Sequence, residues 1–160
     1  MSNENETLDI TIIGDGGWGT ALALVLESKG HGVTIWSHED DYAEKMARTR
    51  TNPRYLPDTP LPGSLNFSAK MDECVPGADM LVSAVPTQFL RGVAEDLADH
   101  VAEGQPVVTV TKGIEEGTNM LGSEVLRDAC GEDFPLAGLF GPSHAEEVAK
   151  RQPTTVVATS

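Results

Sequence analysis

Basic residues are scarce in this sequence: 11 Lys and Arg stand against 25 Asp and Glu, a formal net charge of -14. So acidic a surface repels nucleic acid and anionic membranes, and it excludes functions that depend on binding either one. It also repels anionic small molecules. Any phosphate site must therefore be assembled from backbone dipoles and a few placed cations. Cysteine is nearly absent. Cys74 and Cys130 sit in no CxxC or metal-ligand spacing, so two reduced thiols are expected, with no disulfide framework and no metal. Long apolar runs are missing too: nothing approaches the ~18 residues of a membrane span. Residues 1–6 are polar and acidic, without the basic and apolar segments of a secretion signal. These absences point to a cytoplasmic protein.

What remains is an ordinary globular composition, 160 residues with 39% hydrophobic and 22% charged, enough for one domain with a proper core. Apolar, β-rich runs alternate with helical patterns. Strands are expected over residues 8–13, 33–36, 65–67, 79–85, 106–111, 136–140 and 154–158. Helices are expected over 18–28, 40–48, 71–75, 88–97, 118–130 and 143–150, with Thr118 and Ser143 as N-caps of the last two. Residues 51–63 carry Pro53, Pro57, Pro60 and Pro62 and read as an ordered loop. Repeated β-α units with short connections imply an α/β fold with a doubly wound parallel sheet. Residues 1–8 are expected to be a flexible lead-in to a domain spanning 9–160.

The first strand runs into Gly14-Asp15-Gly16-Gly17-Trp18-Gly19, a G-x-G-x-x-G that opens a helix. That setting makes it a dinucleotide-binding loop. Gly14 permits the tight turn, Gly16 lets a pyrophosphate approach the backbone, and Gly19 lets helix and strand pack closely. The free N-H groups of the helix start then face the phosphates. The second strand ends at Ser37-His38-Glu39, where adenosine ribose is normally read. An acid there favours NAD and a cation favours NADP, and this sequence offers both. Three further strand ends carry distinctive residues: Val85-Pro86, Thr111-Lys112-Gly113 and Gly141-Pro142-Ser143-His144. Lys112, beside a glycine past a buried strand, is placed to meet an anionic substrate.

Taken together, these pieces resemble the bacterial NAD(P)-dependent sn-glycerol-3-phosphate dehydrogenases. The matching residues are Gly14, Gly16 and Trp18 to Ala23; Gly30-His31 and Val33; Trp36; Asn52 and Tyr55 to Pro57; Ala84 to Pro86; Thr111 to Glu115; and Gly141 to Ser143 with Ala145 and Glu147 to Ala149. The resemblance implies a Rossmann-type domain that binds NAD or NADP through Gly17, Trp18, His38, Tyr55, Lys112 and Ala145. It implies that Lys112, Gly141 and Ser143 meet the substrate. The implied reaction is the reversible reduction of dihydroxyacetone phosphate to sn-glycerol 3-phosphate, a step toward glycerophospholipids, in a full-length homodimer. Two positions depart from the pattern: Gly17 stands where many relatives carry serine, and His38 where many carry arginine. No catalytic residue is expected within the chain, because the family's catalytic lysine lies in a helical second domain expected downstream of Ser160. A fragment ending there is expected to bind dinucleotide weakly and to turn over negligibly. A stand-alone dinucleotide-binding regulatory module is the alternative. A ketopantoate or 6-phosphogluconate type of dehydrogenase would share the glycine loop but not the Asn52 and Gly141 segments.

Overall fold

The computed structural model describes residues 6–132 and 134–160. The part of the expected flexible lead-in that covers residues 1–5 lies outside them. Leu8, at its end, is tied in: its amide donates to His31 Nδ1 at 3.2 Å.

Seven strands form one sheet in the order β5-β2-β1-β6-β7-β8-β9. They are β1 (Asp9–Ile13), β2 (Gly32–Trp36), β5 (Asn66–Ser68), β6 (Met80–Ser83), β7 (Val107–Thr109), β8 (Leu136–Phe140) and β9 (Val157–Thr159). The central strands are mostly apolar and carry only small polar side chains inside, because both faces are covered. Ile10, Ile12 and Ile13 of β1 are all buried. On one face, Ala23 of α1 (Gly17–Glu27) packs with Ile12, Val33, Ile35 and Val82. On the other, Leu90, Ala94 and Leu97 of α4 (Thr87–Ala98) and Val125 and Leu126 of α5 (Gly122–Cys130) pack over Ile13 and Leu81. The remaining helices are α2 (Asp40–Thr49), α3 (Met71–Cys74) and α6 (Ala145–Ala149). From β1 the chain winds outward through β2 to β5, then returns to place β6 on the other side of β1. The strand order reverses there, and the carboxyl ends of β1 and β6 open a crevice.

Four expectations need correction. The proline-rich stretch is not a plain loop: β3 (Thr51–Asn52) and β4 (Leu56–Pro60) form an antiparallel two-stranded ribbon with an irregular register. A two-stranded ribbon leaves half of its N-H positions unused, so prolines fit there. The helix expected from Thr118 begins at Gly122. Gly117 and Asn119 hold φ of 91° and 60°, which no helix accepts. Thr118 instead donates to the Glu115 carboxylate, and Glu124 accepts the Leu121 amide at 2.7 Å. Ser143 is not the cap of α6, which starts after His144; the Ser143 amide turns back to the Gly141 carbonyl at 2.9 Å. Finally, β9 runs antiparallel to β8, so the sheet is parallel with one reversed edge strand, a common variation.

Candidate functional site

The crevice holds a cleft of about 1130 Å³ lined from several sides at once. Gly14, Gly16, Gly17, Trp18, His38, Tyr55, Lys112, Ser143 and Ala145 all line it. Gly19 and Gly141 are not among the lining residues; a Cβ on Gly19 would strike the Gly14 carbonyl and one on Gly141 the Thr155 carbonyl.

The glycine loop shows why three of its positions, Gly14, Gly17 and Gly19, lack a side chain. Gly14 has φ +118°, and a Cβ there would stand 2.8 Å from the Ala84 carbonyl oxygen. A Cβ on Gly19 would overlap the Gly14 carbonyl and press on Ala84 and on Ile12 of β1, at 3.2 and 3.3 Å. Above Gly16 nothing stands within 4 Å, so its backbone is open to the cleft. At Gly17 a Cβ would come within 2.9 Å of the Tyr55 carbonyl. The absence of serine there lets the ribbon close down on the helix start. No side chain caps α1, so its first N-H groups are free for an anion. Trp18 adds a buried indole N-H that has no partner among the described residues. An open backbone and an uncapped helix fit a dinucleotide pyrophosphate, which could accept from both.

Sequence reasoning gave Asn52 no role, yet it fastens this corner together. It is fully buried. Its Nδ2 donates to the Asp15 carbonyl at 2.7 Å and to Thr20 Oγ1 at 2.8 Å. Its Oδ1 accepts from the Tyr42 hydroxyl at 2.6 Å and the Tyr55 amide at 3.2 Å. The ribbon, α2 and the glycine loop therefore meet on one side chain.

At the β2 end, Ser37 donates to Asp15 Oδ2 at 2.6 Å. His38 stands edge-on to Trp36, ring centroids 6.1 Å apart. Glu39 caps the start of α2 and accepts from the two terminal nitrogens of Arg54, Nη2 at 3.3 Å; this bonding lowers its carboxyl below the ordinary carboxylate range. Phe89, 61% exposed in the first turn of α4, forms part of the facing wall.

On the far side, Lys112 Nζ donates to the Gly141 carbonyl at 3.2 Å, and the Lys112 carbonyl accepts from Thr87. Arg91 grips the segment after Lys112 through Glu115, with Nε-Oε1 at 2.8 Å and Nη2-Oε2 at 2.9 Å, and also holds Asp128 at 2.7 Å. The Arg91 guanidinium, followed by the Thr118 hydroxyl, brings the Glu115 carboxyl down to about 2. Burial pushes the Cys74 and Cys130 thiols up to about 11, so neither is a ready nucleophile. Among the described residues no cluster of His, Cys, Asp and Glu could hold a metal, and no helix is long and apolar enough to cross a membrane.

Comparison with known proteins matches this geometry to one family. The profile described as NAD-dependent glycerol-3-phosphate dehydrogenase N-terminus matches residues 9–160. A glycerol-3-phosphate dehydrogenase [NAD(P)+] of Chlorobium luteolum is 45% identical over 155 residues, covering 96% of this chain and 46% of its own length. The crystal structure of glycerol-3-phosphate dehydrogenase from Coxiella burnetii superposes with a TM-score of 0.88 at 35% identity, over 95% of this chain and 46% of that one. The Saccharomyces cerevisiae glycerol-3-phosphate dehydrogenase superposes at 0.82 with 27% identity, over 96% and 47%. The chain thus spans just under half the length of the relatives it matches. On the profile, the identity and the superposition together, the chain belongs to the NAD-dependent glycerol-3-phosphate dehydrogenase family, in the part that forms that family's N-terminus.

Proposed function

We propose that this chain is the dinucleotide-binding part of an NAD(P)-dependent glycerol-3-phosphate dehydrogenase, which interconverts dihydroxyacetone phosphate and sn-glycerol 3-phosphate. One observation carries the reading: the glycine loop, the Tyr55 ribbon, Lys112 and the Ser143-Ala145 turn all converge on one cleft at the β1/β6 crevice.

The bound nicotinamide supplies the hydride. The chain's own residues bind and orient. The uncapped start of α1, with the Gly16 backbone and Trp18 at its first turn, holds the pyrophosphate. Tyr55 and Ala145 close over it from the ribbon and α6. Lys112, held against the Gly141 carbonyl, presents the one lysine ammonium among the cleft-lining residues. There it attracts an anionic substrate and opposes negative charge developing on the carbonyl oxygen. Ser143 borders the substrate end, and Gly141 serves it from behind through the carbonyl that holds Lys112. The lysine that handles the proton comes, in this reading, from the helical half of the family. The whole enzyme works as a cytoplasmic homodimer in glycerophospholipid precursor synthesis.

A fluorescence titration of this chain with reduced dinucleotide, read by quenching of Trp18 and Trp36, tests the proposal. Saturable binding in the micromolar to millimolar range is expected, together with negligible turnover of glycerol 3-phosphate. Absence of binding at millimolar dinucleotide would overturn it.

A further inference from the structure

The ladder between β6 and β7 stops before it reaches the cleft. Its register pairs Leu81 with Val107, Val82 with Val108 and Ser83 with Thr109. One more backbone bond follows, from the Val110 amide to the Ser83 carbonyl at 2.9 Å. Beyond it the chain after β6 runs through Val85-Pro86-Thr87 into α4, and Pro86 has no N-H with which to carry the ladder on. Two hydroxyls take over. Thr111, 5% exposed, donates to the Val85 carbonyl at 2.8 Å. Thr87, the first helical residue of α4, donates across to the Lys112 carbonyl. One threonine therefore fixes the residue before Lys112 and the other fixes Lys112's own peptide. The turn that follows closes on the same hydroxyl: Gly113 holds φ +111°, and a Cβ there would stand 2.9 Å from Thr87 Oγ1. The ion pair of Arg91 with Glu115 fastens the chain only at the third residue past Lys112. Thr87 itself is not among the residues lining the cleft, although Pro86 and Gln88 on either side of it are. Its route to a bound ligand runs through Lys112.

We propose that Thr87 is a positioning residue for Lys112: its hydroxyl anchors the Lys112 peptide, so that the ammonium enters the cleft from one direction, against the Gly141 carbonyl 3.2 Å away. This rests on the reading of the cleft as a dinucleotide site with Lys112 at its anionic end. A lysine side chain has many rotamers, and ordering it on binding is costly. Fixing the backbone at its root removes part of that cost before the ligand arrives.

The test is equilibrium titration of this chain with NADH, followed by tryptophan quenching, for the native sequence, Thr87→Val, Thr87→Ser, Lys112→Ala and Thr87→Val combined with Lys112→Ala, each beside a thermal melt. Thr87→Val keeps the shape and removes the donor. It should weaken NADH about threefold, within what one neutral hydrogen bond carries. Thr87→Ser keeps the hydroxyl and should bind as the native chain does. In the Lys112→Ala background Thr87→Val should cost nothing further, because the side chain it steers is gone; a threonine that merely holds the fold together would cost the same factor in both backgrounds. Thr87→Ala, which lacks the hydroxyl and sets no methyl group against Gly113, should reproduce each result. Undiminished binding by Thr87→Val or Thr87→Ala, an equal loss in Thr87→Ser, or the same loss with and without the Lys112 ammonium overturns the proposal while leaving dinucleotide binding intact. Failure of the native chain to bind NADH overturns the reading beneath it instead.

Discussion

The two ends of the cleft are built on different principles. The phosphate-gripping end is bolted by buried, neutral hydrogen bonds that converge on Asn52. The Lys112 end is held by charge at and just beneath the surface: Arg91 on the largely covered Glu115 and the exposed Asp128, and Lys112 on one carbonyl. Buried neutral bonds are rigid and costly to break, whereas surface ion pairs contribute little and respond to salt and pH. The contrast suits the tasks. Under the proposed function, a dinucleotide pyrophosphate would be gripped at the rigid end and a small charged substrate admitted and released at the other.

The largest effect should come from Asn52→Ala. It strips partners from the Tyr42 hydroxyl, the Tyr55 amide, Thr20 and the Asp15 carbonyl together, and should cost about 3 kcal/mol in urea unfolding while loosening dinucleotide binding. A loss below about 1 kcal/mol would erase the contrast between the two ends. Lys112→Ala should be milder and of another kind: unchanged unfolding, because the side chain makes a single exposed hydrogen bond, but about tenfold weaker NADH binding, ~1.4 kcal/mol. Calorimetric titration beside a melt would separate the two. Smallest should be Arg91→Leu, visible mainly as a changed pH response. Glu115 sits near 2 in the folded protein against an ordinary 4.5. A lowered folded pKa contributes stability that is fully present above the unfolded value and is shed as pH falls toward the folded one. Removing Arg91 should therefore lower the urea midpoint above pH 4.5 and narrow the gap to the native protein by about pH 3. A gap that stays constant across that range would mean that Glu115 draws nothing from Arg91.

The glycine loop was legible in the sequence because backbone geometry leaves so little choice. At Gly14 a positive φ coincides with a close carbonyl, and at Gly19 a strand and a helix touch. Buried strands such as β1 were equally plain from continuous apolar runs. The ribbon was not, because Pro57 and Pro60 argue against a ladder unless one knows that the partner strand is only two residues long. The start of α5 was misjudged because a threonine at a cap-like position turned out to serve a carboxylate three residues earlier. Asn52 illustrates the general limit. Nothing local marks a residue whose partners lie 32 and 37 positions back along the chain. The charge state of the ribose corner was hidden for the same reason. His38 and Glu39 were visible as neighbours, but the partner that neutralises Glu39 comes from the ribbon, 15 residues on.

The position of β1 between β2 and β6 has a consequence for how this protein comes into being. The bed on which the glycine loop lies includes Ala84, and the Asp9 amide is fixed by the Asp79 carboxylate, 70 residues along the chain. Loop closures of that length are slow relative to local helix formation. The first strand, the loop and α1 can emerge and take helical or extended shape early, yet the turn cannot settle until β6 docks against β1. Competence to hold a dinucleotide is thus a late event in folding, and the cofactor would report completed topology rather than local order.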